Sequence, residues 1–472
     1  MTQTGVRLHS TRALNRCLHV AAFATIWTHM ACPVAAQGQP EQAPISLPQL
    51  EQLALEHNPT IAQAESAIDA AKARARQAGM LPNPTIGYSA DEVSGGPIIR
   101  GGEHGVFVEQ TIPLGGKLRL SRQIFEREAE QASLVRDMQR TRVVNTVRVA
   151  FYAALAAQRR VDVRERLARL ASEATSVSSQ LYNVGAADKP DLLASEIEDR
   201  QNSLELASAR NASYRAWLTL AAAVGDPAMA PRRLIGTLDA SVPELDRETA
   251  LTAILDKSPQ LGAARSAVER ARAALTRARR EPVPDLVVRG GPRYNRELLE
   301  NAPGGRREPV GWEGAFDVGL TVPLFNRNQG GIAAAEADMR RAQLDVQRLE
   351  LSLRSQFALA FEEYLSAIRM AETYQRDVIP RAEQAYQLYL ARYQEMGAAY
   401  PQVLIAQREL FGVSDRYVIS LERVWRAAVQ IQGFLLTGGL DAPPAPGELI
   451  EIPAMQPGGA STNIAPLEGG RQ

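Results

Sequence analysis

Few residues in this sequence have the types and spacing that chemistry would require. His57 and His104 are the only histidines beyond position 36, and they lie far apart. A zinc or copper site needs several ligands at short spacing. The glycine-rich stretches lack the Lys-Ser/Thr context of a phosphate loop, no Ser-His-Asp arrangement is visible, and Glu362 and Glu363 fall on a polar helix face. We therefore expect no catalytic residue, no metal site and no cofactor.

The composition excludes one broad class of partner. The chain has 53 basic and 53 acidic residues, and its formal net charge is therefore zero. A nucleic-acid-binding protein normally carries a strongly basic face. We therefore expect no nucleic-acid partner.

Residues 1–36 have the composition of a secretory signal. The segment starts with basic residues and no acid, continues with an apolar run over 18–28, and has small residues up to Ala36. This pattern predicts export and cleavage after Ala36. Cys17 and Cys32 lie inside the signal, so the mature chain would have no disulfide. The alternative is that Cys32 is lipidated at another cleavage site and anchors the chain through acyl groups.

The elements that dominate the rest of the sequence are very long helices. No proline lies between Pro113 and Pro190, and no glycine lies from Lys117 to Val184. Nothing there interrupts an α-helix, which at about 1.5 Å per residue would be on the order of 100 Å long. Apolar residues recur at helical spacing while Arg and Glu fill the other faces. This pattern indicates an elongated coiled-coil assembly in water and not a membrane-spanning helix.

The chain contains the same unit twice. The stretch that begins with NPTI at Asn58 matches SPQL at Ser258, and TIPLGGK at Thr111 matches TVPLFNR at Thr321. Each unit has a helix, two strands around a Gly-rich loop, the very long helix, a Gly-Ala-Ala turn and a returning helix. Four segments are predicted: a signal over 1–36, a first repeat over 37–240, a second repeat over 241–440 and a disordered Pro/Gly-rich tail over 441–472. In the first repeat, the strands are predicted over about 84–112, the long helix over about 116–183 and the returning helix over about 190–224. In the second repeat, the strands are predicted over about 284–322, the long helix over about 329–396 and the returning helix over about 402–436.

Prolines are predicted to mark the transitions between helices and strands, because proline cannot continue a helix. Glycines should ease the turn into each long helix: Gly115 and Gly116 in the first repeat, Gly330 and Gly331 in the second. The six transition prolines are Pro82, Pro84, Pro113, Pro282, Pro284 and Pro323.

The strands alternate between apolar and polar residues, most clearly in the last one, where Glu313 and Asp317 share the polar face. Such strands suit a transmembrane β-barrel, although a half-buried sheet in a soluble protein would show the same pattern. Four strands are too few to close a barrel, and an open edge cannot lie in lipid. Strands in a bilayer would therefore require several chains to share one barrel. The predicted lipid-facing residues are Trp312, Phe316, Val318 and Leu320.

The duplicated unit behind a signal peptide resembles the TolC family of outer-membrane efflux proteins, and the likeness covers nearly all of the mature chain. LPNP from Leu81, EQTIPLGGK from Glu109 and VPLFNRNQGGIAAAEA from Val322 look like its heavy-metal branch, the CzcC-like and CusC-like channels. The resemblance implies a mainly α fold with a small β-barrel portion. In a homotrimer, each chain would give four strands to one shared twelve-stranded outer-membrane barrel, which continues as a coiled-coil helical barrel through the periplasm.

The resemblance also implies a function. Family members are passive exit ducts of tripartite pumps, joined to a periplasmic adaptor and an inner-membrane transporter, here of the resistance-nodulation-division type. The expected cargo is heavy-metal cations, but drugs, other small organic molecules or type I secreted proteins could use the same duct. A periplasmic structural coiled coil would explain the helices but not the hairpins. A secreted hydrolase would need a compact core with catalytic residues.

The turns after the long helices are the expected tip of the channel. In this family such turns dock the adaptor's helical hairpin, and we expect Gly185 and Gly397 to end their helices in the left-handed conformation. The implied adaptor contacts are Tyr182, Val184, Gly185, Ala186, Tyr393, Met396, Gly397 and Ala398.

The resemblance places the constriction of the channel just beyond these turns, where the family has an acidic ring. Asp188 and Asp191 are acidic here, whereas Gln402 and Ile405 stand at the corresponding places of the second repeat. We therefore expect a gate made of these four residues. Alternatively, Asp191 is an N-terminal helix residue that the helix dipole favours.

Overall fold

The structure is a computed structural model that describes residues 43–93, 102–239, 242–300 and 303–445. The predicted signal, the alternative lipidation of Cys32 and most of the predicted tail lie outside these residues. None of the helices within these ranges has both the length and the apolar character that crossing a membrane requires.

The first repeat begins with two helices whose starts are set by local sequence. The side chain of Asn58 accepts a hydrogen bond from the Thr60 N–H, and Pro59 occupies the first helical position, where its missing N–H costs nothing. The elements are β1 (Ile45–Ser46), α1 (Leu47–His57), α2 (Pro59–Ala78), β2 (Thr85–Asp91), β3 (Glu103–Ile112), α3 (Lys117–Asn183), α4 (Lys189–Val224) and β4 (Leu234–Ile235).

The second repeat has the same order of elements. Its first helix is capped by Asp246, whose side chain accepts from the Thr249 N–H, and Pro259 again occupies the first position of the next helix. The elements are α5 (Arg247–Lys257), α6 (Pro259–Arg280), β5 (Leu286–Glu300), β6 (Arg307–Leu320), α7 (Gln329–Thr373), a π-helical segment (Tyr374–Val378), α8 (Ile379–Gln394) and α9 (Tyr400–Gln432).

Unlike α3, the second long helix contains a π-helical segment, which lies between α7 and α8. Pro380 lacks an N–H, and in an α-helix its ring would clash with the carbonyl of Arg376. The wider π-helical turn just before it relieves this clash, and the Ile379 N–H donates to the Tyr374 carbonyl. The helical run is continuous over 329–394, close to the predicted 329–396, and Pro380 is the sequence signal that marks its π-helical turn.

The strands of the larger sheet and the helices that continue them lie side by side in the same order. The larger sheet is antiparallel with the order β2-β3-β5-β6, so that β2 and β6 are its edges. Among the helices, α3 packs against α2, α4, α6 and α9, and α7 packs against α6 and α9. The helices that continue the edge strands, α2 and α7, thus lie at the two edges of the helical layer.

Helix α3 provides much of the core and holds the segment that follows α9. Phe151 and Leu155 of α3 are buried, and Tyr152 stacks on Trp425 of α9 with a centroid distance of 4.2 Å. The buried Asn145 donates from Nδ2 to the carbonyls of Gly433 and Leu436, at 2.8 and 3.0 Å. These bonds satisfy a buried amide and tie the end of the second repeat to the first.

Candidate functional site

Strand register divides the sheet into one apolar face and one charged face. Leu286 pairs with Leu320, Val288 with Val318, Gly290 with Phe316 and Tyr294 with Trp312. Paired residues of antiparallel strands share a face, so the four residues predicted to face lipid lie together. Trp312 is 74% exposed and Phe316 is 72% exposed. In the other hairpin, Ile86, Tyr88, Val106 and Val108 occupy the same face.

Aromatic rings cross this apolar face near the loop end of the sheet. Tyr294 meets Trp312 edge to face at 5.6 Å, and Tyr88 stacks on His104 at 6.1 Å. The Tyr88 hydroxyl also lies 2.5 Å from Nδ1 of His104. Amphipathic rings in such a row are typical of the membrane–water boundary of a β-barrel.

The opposite face is charged. Arg293 pairs with Glu103 at 2.5 Å and with Glu313 at 3.3 Å. Arg289 stands in register between Glu109 and Asp317. Its guanidinium lies over the ring of Phe107, 3.7 Å from the centroid. Within the described ranges, neither Glu109 nor Asp317 forms an ion pair.

Gly87 makes room for the ring of Phe107 on the charged face. A Cβ atom at position 87 would lie 2.4 Å from Cζ of Phe107, a distance that real Cβ contacts do not show. Only glycine lets the ring lie against β2, and the ring in turn supports Arg289. Sequence reasoning missed this arrangement, because residues on different strands form it.

All six transition prolines lie between a helix and a strand, outside both. The two repeats are joined at this level by Lys117 of α3, whose Nζ lies 2.8 Å from Oδ1 of Asp285. The same carboxylate accepts from the Leu114 N–H at 3.2 Å. Sequence reasoning missed this pair, since its two members are far apart in the chain.

The turns into the two long helices use different residues. Gly115 and Gly116 have φ angles of +70° and +73°, as expected for the first repeat. In the second repeat, Asn328 takes the left-handed conformation, with φ +58°, while Gly330 and Gly331 lie inside α7. The expected role of these two glycines is therefore wrong. Asparagine adopts this conformation more readily than most residues.

The two tip turns also differ by one residue. After α3, Gly185 has φ +75° and the Ala186 N–H donates to the Leu181 carbonyl at 2.8 Å. After α8, Met396 has φ +62°, and the Gly397 N–H makes the corresponding bond to the Arg392 carbonyl at 2.8 Å. The prediction that Gly397 ends its helix in the left-handed conformation is wrong, since Met396 does so.

The tyrosines predicted at the tip lie in different environments. Tyr182 is 38% exposed, and Nζ of Lys189 lies 5.1 Å from its ring centroid. Tyr393 is only 4% exposed, its ring lies 5.6 Å from that of Tyr400 at a tilted angle, and its hydroxyl donates to Oγ of Ser178 at 3.3 Å. Tyr393 therefore joins α8 to α3 and cannot be a surface contact. The other predicted tip residues are exposed, except Ala398, which is half-buried.

The four gate candidates lie on the first two turns of α4 and α9 or just before them. Asp188 stands just before α4 without a capping hydrogen bond from its side chain, and Asp191 follows in the first turn. The pKa of Asp191 is raised, mainly by its partial burial and secondarily by the negative charge of Asp188. Gln402 and Ile405 are exposed on α9. Within the described ranges, no hydrogen bond or ion pair joins the acidic pair to the second pair.

No group of three or more His, Cys, Asp or Glu side chains could hold a metal ion in the part of the chain that the structure describes. A cleft of about 450 Å³ does lie between α3, α4 and α9. There the buried Glu198 accepts from Arg408 at 2.9 and 3.1 Å. Because these charges already satisfy each other, the cleft offers no free ligand set.

Comparisons with known proteins agree with this architecture. A family described as outer membrane efflux protein matches residues 50–226 and 250–435. The cobalt-zinc-cadmium resistance protein CzcC of Cupriavidus metallidurans is 26% identical over 396 residues, which cover 83% of this chain and 90% of CzcC.

Two solved channels have the same fold. The structure of CusC is similar with a TM-score of 0.69 at 17% identity, and the match covers 83% of this chain and 92% of CusC. The open state of the Neisseria gonorrhoeae MtrE outer membrane channel is similar with a TM-score of 0.65 at 18% identity, covering 84% and 90%. The prediction of a mainly α fold with a small β part is confirmed. The chain belongs to the outer membrane efflux protein family: it is an outer-membrane channel protein that extends into the periplasm, and not an enzyme.

Proposed function

We propose that this chain forms, as a homotrimer, the exit duct of a tripartite efflux pump, and that its cargo is heavy-metal cations. The cations would pass from the periplasm to the exterior without any bond being made or broken. The duct would work with a periplasmic adaptor and an inner-membrane transporter of the resistance-nodulation-division type, which supplies the energy.

The open edges of the sheet support an assembly of several copies. The outer edges of β2 and β6 have no partner strand in the described part of the chain. Unpaired backbone groups in lipid cost several kcal/mol each, so only a closed barrel is stable there. Copies that join β2 of one chain to β6 of the next satisfy both edges.

Exposed apolar side chains on two helices, α4 and α7, support the same assembly. In α4 they include Leu193, Ile197 and Leu204, and in α7 they include Leu351 and Leu359. Contiguous exposed apolar surface of this kind marks an interaction surface. Neighbouring copies would cover these residues along the helices while their strands pair in the sheet.

The charged face of the sheet is the observation that carries the proposal of cationic cargo. If the apolar face contacts lipid, this face lines the pore. A negative pore attracts cations and raises their local concentration. Similarity to a cobalt-zinc-cadmium resistance protein favours metals among cations. The face bears five carboxylates against two guanidinium groups: Asp91, Glu103, Glu109, Glu313 and Asp317 against Arg289 and Arg293.

Neutralising two of these carboxylates should reduce cation selectivity. In the double variant Glu109→Gln with Asp317→Asn, three copies lose six charges that no ion pair compensates. We expect the ratio of cation to anion permeability to fall by about tenfold at low salt. The reversal potential across a planar bilayer with a salt gradient measures it. The control Glu109→Asp with Asp317→Glu keeps every charge, and equal selectivity in both variants would contradict the assignment of this face to the pore.

The cargo is tested by deleting the gene and restoring it on a plasmid. We expect the deletion strain to become sensitive to cobalt, zinc or cadmium and the plasmid to restore resistance. Sensitivity to organic drugs alone, or loss of a secreted protein alone, would replace the metal cargo by one of these alternatives.

A substitution in the first tip turn tests adaptor docking. Valine at Gly185, which has φ +75°, would cost about 1 to 2 kcal/mol and distort the turn. We expect Gly185→Val to weaken chemical cross-linking to the adaptor while the trimer persists. Gly304→Val is the matched control, because Gly304 also has a left-handed φ of +78° with nothing within 4 Å of a Cβ placed on it, but lies between β5 and β6, away from the tip turns. Unchanged cross-linking in Gly185→Val would argue against docking at this turn.

A further inference from the structure

We propose that Met80, Leu81, Leu324 and Phe325 form an apolar clasp between neighbouring copies of this chain, at the level where strands give way to helices. The clasp rests on the homotrimer proposed above, and it names the contact that joins the copies at this level.

Each of these four apolar side chains is more than half exposed in the single chain. Phe325 is 93% exposed, more than any other large hydrophobic residue among those described. Leu324, Leu81 and Met80 are 64%, 58% and 57% exposed. Removing such side chains from water is favourable, and the described residues of a single chain leave more than half of each one exposed.

Their position in the topology brings the two pairs together. Met80 and Leu81 lie between α2 and β2, and Leu324 and Phe325 lie between β6 and α7. These two connections are at opposite edges of both layers, because the strand order and the helix order coincide. When β2 of one copy joins β6 of the next, the connections that continue these strands must lie side by side.

The two inner connections, between β3 and α3 and between α6 and β5, cover each other, whereas the two outer connections lack such a partner. Between β3 and α3, Gly115 lies against Val283 of the connection from α6 to β5, and a Cβ on Gly115 would be 2.9 Å from the Val283 side chain. Lys117 and Asp285 join the same two connections. Each inner connection is thus covered by its neighbour in the chain, whereas each outer connection has a neighbour on one side only.

This asymmetry favours a second copy over lipid as the partner. A collar that contacts lipid should be apolar on all four connections. Large exposed side chains are instead concentrated at the two edges, and Leu114 of an inner connection is only 37% exposed. Lipid contact remains as an outcome of the experiment that overturns the clasp.

Cysteine cross-linking tests the clasp. The sequence has no cysteine after Cys32, so thiols introduced in this region do not compete with native ones. In membranes, we expect oxidation or a short bis-maleimide to link the variant with Leu81→Cys and Phe325→Cys into dimers and trimers, and neither single variant to do so. A reference series combines Ile86→Cys on β2 with Phe316→Cys, Val318→Cys or Leu320→Cys on β6.

The reference series separates the two proposals. If a sheet-edge pair links and Leu81→Cys with Phe325→Cys does not, the homotrimer stands and the clasp is wrong. If neither links, the homotrimer itself fails. Labelling of Phe325→Cys by a membrane-soluble maleimide without any cross-link would assign the residue to lipid and would also overturn the clasp.

Substitution provides a second measurement. Phe325→Ser should lower the trimer-to-monomer ratio in detergent by about tenfold, because one large apolar contact per interface is lost. The circular dichroism of the chain should not change, since the Phe325 side chain is 93% exposed within it. Leu299→Ser, on the hairpin end of β5, removes another exposed apolar residue, 52% exposed, and should leave the ratio unchanged. An unchanged ratio in Phe325→Ser would contradict the clasp.

Discussion

A chain with Phe316→Lys is expected to fail to assemble in the outer membrane. Phe316 lies midway along the apolar face of β6, 72% exposed and in register with Gly290. A lysine on the lipid face near the bilayer midplane costs about 2 to 4 kcal/mol, and a trimer would bear this cost at three positions. Fractionation of membranes followed by electrophoresis without heating shows how much folded trimer reaches the outer membrane.

A lysine on the other face of the same strand is the control. Gly319 pairs with Val287 on the charged face, and nothing lies within 4 Å of a Cβ atom placed on it. Gly319→Lys should therefore assemble like the unmodified chain. If Phe316→Lys assembles equally well, the two faces of the sheet have been assigned the wrong way round.

The second large effect is expected from Asp285→Ala. The side chain of Lys117 is only 6% exposed, and Asp285 is its ion-pair partner at 2.8 Å. Removing the carboxylate leaves an ammonium group buried without a partner, and the Leu114 N–H loses its acceptor as well. Breaking a fully buried pair costs about 3 to 5 kcal/mol, and we expect about 2 to 3 here because Asp285 retains 32% exposure.

Urea unfolding of the purified protein in detergent measures this loss, and limited proteolysis locates it at the junction of strands and helices. Glu126→Ala is a suitable control, because Glu126 pairs with Arg122 at the surface, where such pairs contribute about 0 to 1 kcal/mol. Adding Lys117→Met to Asp285→Ala should recover much of the stability, since the buried charge is then absent. If Asp285→Ala unfolds at the same urea concentration as the control, the pair does not hold the two repeats together.

The two faces of β6 and the equivalent helix starts of the two repeats could be predicted from residues that are close together in the sequence. Alternation along β6 places Trp312 and Phe316 on one side and Glu313 and Asp317 on the other, whatever the strand pairs with. Pro59 and Pro259 begin equivalent helices, because a proline suits the first turn in any context. Such features depend on residues only a few positions apart.

The tip shows where local pattern fails. The Gly-Ala-Ala turns of the two repeats look alike, yet the left-handed residue is Gly185 in one and Met396 in the other. The second long helix also contains a π-helical turn before Pro380, whereas α3 is α-helical throughout. Tyr182 and Tyr393 both precede a turn, but only Tyr393 is covered by another helix.

The sequence by itself thus determined the duplicated unit, the long helices, the alternating strands and the family to which they belong, because periodicity, proline and glycine act within a few residues. Only the tertiary structure decided that Tyr393 is buried, that Lys117 meets Asp285, that the Arg289 guanidinium lies over the Phe107 ring, and that β2 and β6 are the edges. Each of these depends on the packing of segments far apart in the chain, where the choice of partner is set by the whole arrangement of strands and helices.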